Sequence, residues 1–261
     1  ACLEVYYMKY KKPHFIADNT TAAKNSLDII KKQHDFFSKS ETDIIVVLGG
    51  DGFMLDILKE YQDLSLPFYG INQGTVGFLM NQNQDKNLLK KLNEAEETII
   101  HPLKMHARKL DGSIEDCLAI NEISILRSGS QAAKLKIVVD DLVRLEELVC
   151  DGALVSTPAG STAYNYSAHG PILPIDSNIL ALTAMAAFRP RRWRGALIPS
   201  KAKIEFLIKE PHKRQVSAFA DSKEVKNISS VKILCENNIF YKLLFDQGHG
   251  LQERILREQF F

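Results

Sequence analysis

The chain of 261 residues carries 33 Lys and Arg against 32 Asp and Glu, a net charge of +1. So even a balance gives no overall field for nucleic acid or an anionic membrane, and an anion site must be built locally. The length suits one large domain or two smaller ones. Cys2, Cys117, Cys150 and Cys235 are too scattered for a zinc site or a disulfide framework, which points to free thiols in a reducing cytoplasm. No apolar run reaches the ~20 residues needed to span a bilayer, and the first twelve residues lack the apolar core of a signal peptide.

In chain order, Leu3–Met8 reads as a first strand. Asp18-Asn19-Thr20 offers helix-capping chemistry ahead of Ala22, Leu27, Ile30 and, further on, Phe36-Phe37, the spacing of one buried helical stripe. The β-branched run after Asp43 ends in Gly49-Gly50-Asp51-Gly52, and Phe53, Leu55, Ile57, Leu58 and Tyr61 follow at helical spacing. That pattern predicts a buried strand, a tight turn and a helix over about 53–62. Leu66–Asn72 predicts a third strand and Asp85–Glu96 another helix. Strands alternating with helices predict an α/β, Rossmann-like parallel sheet, with ligands beyond the carboxyl ends of its strands.

Glycines in the first turn let the backbone present N–H groups to an oxyanion, and the helix start adds the positive end of its dipole, so phosphate is the expected guest. Asp51 is a poor choice for phosphate binding alone. A carboxylate there suits a general base or a metal anchor, while the plainer alternative is a helix cap. Asn72–Leu79 forms a second glycine-bearing turn at the next strand end, where Phe78 either stacks on a flat ring or folds into the core.

Near residue 100 the pattern changes to short extended runs: Leu103–Leu110, Cys117–Arg127, Lys134–Val139, Arg144–Val149, Ala153–Thr157, then Ile204–Ile208, Gln215–Ala220 and Val231–Leu234. Asp111-Gly112 between the first two is a hairpin signal, and so many short strands predict a β-rich second domain. The chain ends in an extended stretch from Tyr241 and a helix over Leu251–Phe261. Within the second domain Asn121-Glu122 interrupts an apolar strand with an amide and a carboxylate, a pair suited to ribose hydroxyls or a base edge. Asp151–Pro171 runs from a strand into Pro158-Ala159-Gly160-Ser161-Thr162-Ala163-Tyr164, whose small residues, hydroxyls and aromatic ring can line a nucleotide pocket. The alternative is a routine Ser-Thr cap with Tyr164 as core filling.

Taken together, Gly49-Gly50-Asp51-Gly52, Asn72–Leu79, Asn121-Glu122, the Asp151–Tyr164 segment extending to Pro171, and Arg189-Pro190 before Leu197-Ile198-Pro199 resemble the NAD kinases of the bacterial type. Gly-Gly-Asp-Gly alone is shared with lipid kinases and phosphofructokinases; the Ser-Thr-Pro-x-Gly-Ser-Thr-Ala-Tyr segment is far more specific. The resemblance implies an α/β domain over 1–100 joined by a returning segment at 241–261, a β-rich NAD-binding domain over 101–240, and an active site between them. It implies transfer of the γ-phosphoryl of ATP, assisted by a divalent metal such as Mg²⁺ with no ligand assigned from the protein, to the 2′-hydroxyl of the adenosine ribose of NAD.

By motif position Asp51 becomes the general base, Gly49, Gly50, Gly52 and Phe78 wall the nucleotide site, and Asn121 and Glu122 contact ribose or adenine. Asp151 becomes a nicotinamide-side contact, with Ser156, Thr162, Ala163, Tyr164 and Ser167 around the adenine and ribose. The family implies a homo-oligomer, dimer or tetramer, with neither nucleic acid nor membrane as partner. Two departures stand out: Ala220-Asp221-Ser222 where many members have Asp-Gly, and Leu148-Val149-Cys150 where several carry a basic residue. The competing readings are a kinase of another small molecule or lipid, and a nucleotide sensor without turnover.

Overall fold

A computed structural model describes residues 8–74, 77–82 and 87–260. Two compact units emerge: residues up to Ile100 joined by Phe240–Arg254, and His101–Ile239 with the residues from Ile255 on.

The strand expected over Leu3–Met8 lies, but for Met8, outside the described residues, and the first strand seen is β1 (Pro13–Ala17). Helix α1 (Thr21–Lys31) is capped by Thr20, whose hydroxyl accepts from the Ala23 N–H. It stops before Phe36-Phe37, which the helical stripe had included; Phe36 instead packs its ring on Phe15 at 4.8 Å. β2 (Ile44–Gly49) is buried along its whole length, the mark of a central parallel strand covered on both faces. After it come α2 (Asp51–Glu60), which buries Met54, Leu55, Ile57 and Leu58, and β3 (Pro67–Asn72). α3 (Leu88–Glu94) fills only part of the stretch expected helical over Asp85–Glu96, whose first two residues lie outside the described set. Glu96 instead opens β4 (Glu96–Ile100), where Thr98, Ile99 and Ile100 restore strand chemistry.

The second unit contains β5 (Leu103–Lys109), β6 (Ile114–Ala119), β7 (Glu122–Arg127), β8 (Ala133–Val139), β9 (Leu142–Cys150), β10 (Gly152–Ser156), the short α4 (Tyr164–Ser167), β11 (Ile179–Met185), β12 (Gly195–Pro199), β13 (Ile204–Ile208), β14 (Val216–Ala220), β15 (Lys223–Val225) and β16 (Ile228–Cys235). These form two antiparallel six-stranded sheets, ordered β12-β11-β10-β7-β14-β15 and β6-β5-β16-β13-β8-β9. Alternate residues such as Leu103, Met105 and Ala107 on β5, and Ile204, Phe206 and Ile208 on β13, meet residues of the other sheet in one apolar core. The single strand expected over Cys117–Arg127 is two: the chain turns at Ile120-Asn121, so that β6 and β7 belong to different sheets.

β17 (Tyr241–Phe245) then returns to the first unit and lies between β3 and β4, giving the order β1-β2-β3-β17-β4. Four strands are parallel and β4 is antiparallel to β17, so the sheet expected to be parallel is mixed. The last element is α5 (Leu251–Glu258). Among the described residues no helix is long and apolar enough to cross a membrane.

Candidate active site

Asp51 is the first residue of α2, directly beyond the carboxyl end of β2. Gly50 occupies the cap position in extended conformation, and no side chain caps the helix, so the first-turn N–H groups are left for another acceptor. The plain cap reading of Asp51 fails on this geometry, because its carboxylate turns to the next strand's turn. Oδ2 accepts the Phe78 N–H at 2.7 Å and Oδ1 the Leu79 N–H at 3.0 Å. Burial pushes the Asp51 carboxyl above the ordinary carboxylate range, while these two amides and the nearby Arg254 charge pull the other way.

A Cβ on Gly49 would lie 2.8 Å from the Phe53 ring, so strand and helix pack too tightly there for a larger residue. Gly50 and Gly52 differ: a Cβ on either meets nothing within 4 Å. Neither internal packing nor a left-handed φ demands glycine at those two positions, and both keep open space in front of the turn. Phe78 is half-buried and acts on Asp51 through its backbone. Among the described residues no three His, Cys, Asp or Glu side chains gather where they could hold a metal ion.

In the second unit the corner between β6 and β7 is the organising feature. The Asp221 carboxylate accepts the N–H groups of Ile120 and Asn121, both at 2.9 Å. The Thr157 hydroxyl donates to the Ile120 carbonyl at 2.8 Å, and its oxygen accepts the Gly160 N–H at 3.0 Å. Gly160 is obligatory here, since a Cβ would sit 2.3 Å from the Asn121 carbonyl oxygen. Against this corner Glu122 is buried, and its Oε2 has no hydrogen-bond partner among the described residues. Burial, then the charge of Asp221, pushes the Glu122 carboxyl up to about 8 against the opposing pull of the Tyr164 N–H. A neutral carboxyl offers a donor and an acceptor side by side, which suits a hydroxyl or a base edge.

Ser161-Thr162 does not cap a helix. Ser161 is buried, its hydroxyl donating to the Pro158 carbonyl at 2.7 Å and accepting the Leu173 N–H at 3.0 Å. Thr162 and Ala163 are half-buried in the turn before α4, and Ser167 is exposed at its end. Asn165, fully buried, ties this loop together: Nδ2 donates to Ser161 and Pro171 carbonyls at 3.0 and 2.8 Å, and Oδ1 accepts the Thr183 hydroxyl at 2.7 Å.

Tyr164 is not core filling. Its ring is partly exposed and its hydroxyl reaches Met185 Sδ at 3.1 Å, and the Met185 carbonyl accepts the Asp151 N–H at 3.0 Å. Asp151 itself is exposed and paired with Arg127 at 2.7 Å, at the opposite end of the β7–β10 pair from Glu122 and Ser156. Thus Asn121, Glu122, Ser156 and Tyr164 share one cluster, whereas Asp151 stands apart from it, its carboxylate turned to Arg127 and its backbone N–H to Met185. Trp193 packs partly against the sandwich core, whereas Arg191, Arg192 and Arg194 around it are exposed.

These features define a class: a two-unit fold, an α/β sheet followed by an antiparallel sandwich, carrying a half-buried carboxylate at a glycine turn in the first unit and a polar cluster around a buried Glu122 in the second. Residues 6–98 match the ATP-NAD kinase N-terminal domain and residues 120–234 the ATP-NAD kinase C-terminal domain. The chain therefore belongs to the ATP-NAD kinase family. It is 55% identical over 246 residues to an NAD kinase of Cereibacter sphaeroides, covering 94% of this chain and 97% of that one, and 47% identical over 253 residues to an NAD kinase of Rickettsia bellii, covering 97% and 99%. Its fold is similar to that of an Archaeoglobus fulgidus NAD kinase in complex with ATP, with a TM-score of 0.70 and 26% identity over 95% of this chain and 97% of that one. A yeast NADH kinase complexed with NADH shares the fold with a TM-score of 0.81 at 19% identity, covering 97% of this chain and 88% of that one.

Sequence alone marks the positions of Asp221 and Asn165 but not their roles, and it misses Arg254 altogether. Asp221 acts by gathering backbone amides a hundred residues away, Asn165 by tying a loop, and Arg254 lies in the last helix. A carboxylate following a strand and a buried-type amide inside a hydroxyl-rich motif are weak signals of the first two roles.

Proposed function

We propose that this enzyme transfers the γ-phosphoryl group of ATP to the 2′-hydroxyl of the adenosine ribose of NAD, giving NADP, with Asp51 as the general base. The observation that carries the reading is the half-buried Asp51 carboxylate, oriented by two amides and flanked in sequence by two glycines that keep space open. A secondary hydroxyl is a weak nucleophile, so phosphoryl transfer needs alignment and a group to take its proton. Burial makes Asp51 more basic than an ordinary carboxylate, which favours that proton transfer. The uncapped start of α2 and the glycine turn supply N–H groups for triphosphate oxygens. Magnesium in this reading arrives as part of the Mg-ATP substrate, offsetting phosphate charge.

Nucleoside recognition falls to the second unit. Asn121 and Glu122 face ribose hydroxyls or adenine, Ser156, Thr162, Ala163, Tyr164 and Ser167 surround the adenosine, and Asp151 serves the nicotinamide side. The enzyme works in the cytoplasm as a homo-oligomer, a reading supported by the exposed apolar side chains of Phe188 and Leu197. Light scattering of the purified protein gives the number of copies.

NADP formation from NAD, ATP and Mg²⁺, followed with an NADP-specific dehydrogenase, tests the reaction. Wild type produces NADP and Asp51→Asn loses on the order of 10²-fold or more in kcat. Binding of NAD without any NADP formed by the wild type would overturn the reading in favour of a sensor.

A further inference from the structure

We infer that Arg254 is a positioning residue for the reaction: from the last helix it holds the two peptide groups that orient the Asp51 carboxylate. This rests on Asp51 being the base. Arg254 lies beyond both matched family domains, which end at residues 98 and 234.

Its Nη1 donates to the carbonyls of Gly77 at 3.3 Å and Phe78 at 3.1 Å, and to that of Met80. Those first two carbonyls belong to the same peptide groups whose N–H ends, on Phe78 and Leu79, meet Asp51. A trans peptide is planar with C=O and N–H pointing in opposite directions. Two peptide planes are therefore held between a guanidinium and a carboxylate, and pulling on one end polarises the other. The guanidinium is fixed in turn: Nε donates to the His249 carbonyl at 2.9 Å, Nη2 to Asn81 Oδ1 at 3.3 Å, and Cζ lies over the Phe245 ring, 4.9 Å from its centroid.

The other charged and titratable groups facing this cluster are Asp246, Tyr69, whose hydroxyl donates to Asp246 at 2.5 Å, and Lys91, 3.5 Å from Asp246. Among the described hydrogen bonds and ion pairs none of the three joins Asp51. Loss of the Arg254 charge therefore loosens the 77–81 turn and raises the proton affinity of Asp51.

The test is kcat for NADP formation across pH for wild type, Arg254→Gln and Arg254→Lys. Arg254→Gln should lose about tenfold or more in kcat with KM for NAD and ATP little changed, and the acid limb of its profile should move to higher pH. Arg254→Lys keeps a charge but not the fork, recovers part of the rate, and carries the test should the Gln variant not fold. In an Asp51→Asn background, Arg254→Gln should add no further loss. An Arg254 variant with the wild-type acid limb and kcat, differing only in melting temperature, would overturn the inference, as would fully multiplicative losses in the double variant. An Asp51→Asn enzyme turning over at the wild-type rate would sink the base reading by itself, independently of Arg254.

Discussion

Asp221 and Glu122 are joined backbone to backbone, the Asp221 N–H donating to the Glu122 carbonyl at 3.1 Å, while the Asp221 carboxylate gathers the amides of the two residues just before Glu122. Asp221 has φ of 50°, a conformation asparagine also tolerates, so Asp221→Asn changes the charge and one acceptor with little backbone strain. Its amide NH₂ must then face a donor, which costs about 1–3 kcal/mol of folding stability. KM for NAD should rise about tenfold with a smaller change in kcat. An unchanged KM would show that the corner does not present the nucleoside contacts.

Glu122 links stability to pH. Its carboxyl is raised from 4.5 to about 8, so the folded protein holds a proton that the unfolded chain has released. Stability from this group is fully present below pH 4.5 and is lost as pH rises to about 8, at no more than about 1.4 kcal/mol per pH unit. Glu122→Gln removes that slope. Urea unfolding of both proteins across the range should show Glu122→Gln gaining on wild type as pH rises; a constant difference would refute the assignment.

Two glycines should respond in opposite ways. Gly160→Ala drives a Cβ to 2.4 Å from the Asn121 Cα and must displace the corner, costing about 1–3 kcal/mol in stability along with nucleotide affinity. Gly52→Ala meets open space on an exposed helical position, so melting temperature should hold or rise, by up to about 1 kcal/mol of added stability. Its kcat should nevertheless fall, because the space is kept for substrate. Calorimetry beside initial rates separates the two, and a fully active Gly52→Ala would remove Gly52 from the site.

Thr183→Val conserves shape but leaves Asn165 Oδ1 buried without its 2.7 Å donor. The expected loss is about 1–3 kcal/mol in stability. Weaker NAD binding should accompany it, since Asn165 braces the loop carrying Tyr164. Thermal melts and KM for NAD check both, and an unchanged melting temperature would argue against a bracing role.

The strand, turn and helix around Asp51 were legible because every determinant is local: a β-branched run, three glycines, then an apolar helical stripe. The density of β-strands in the second unit was legible for the same reason. What the chain order hides is pairing at long range. Cys117–Arg127 looks like one strand because nothing in its polarity says that Ile120-Asn121 turns a corner between sheets; the Asp221 carboxylate that holds the turn is a hundred residues away. Phe78 drew attention for its ring, yet its backbone N–H makes the defined contact. Arg254 resembles any charged residue on a terminal helix until the carbonyls it grips are known.

The place of β17 has a consequence for synthesis on the ribosome. It lies between β3 and β4, so residues up to 100 cannot complete their sheet when they emerge, and the gap stays open until residues 241–245 have been made. Nascent chains usually fold amino-terminal domain first. Here the sandwich can complete its strands first, while β3 and β4 wait with unpaired edges that invite aggregation. A gene fragment ending near residue 100 therefore encodes a sheet with its fourth strand missing, and such a fragment should be recovered as aggregate unless the β17 segment is supplied.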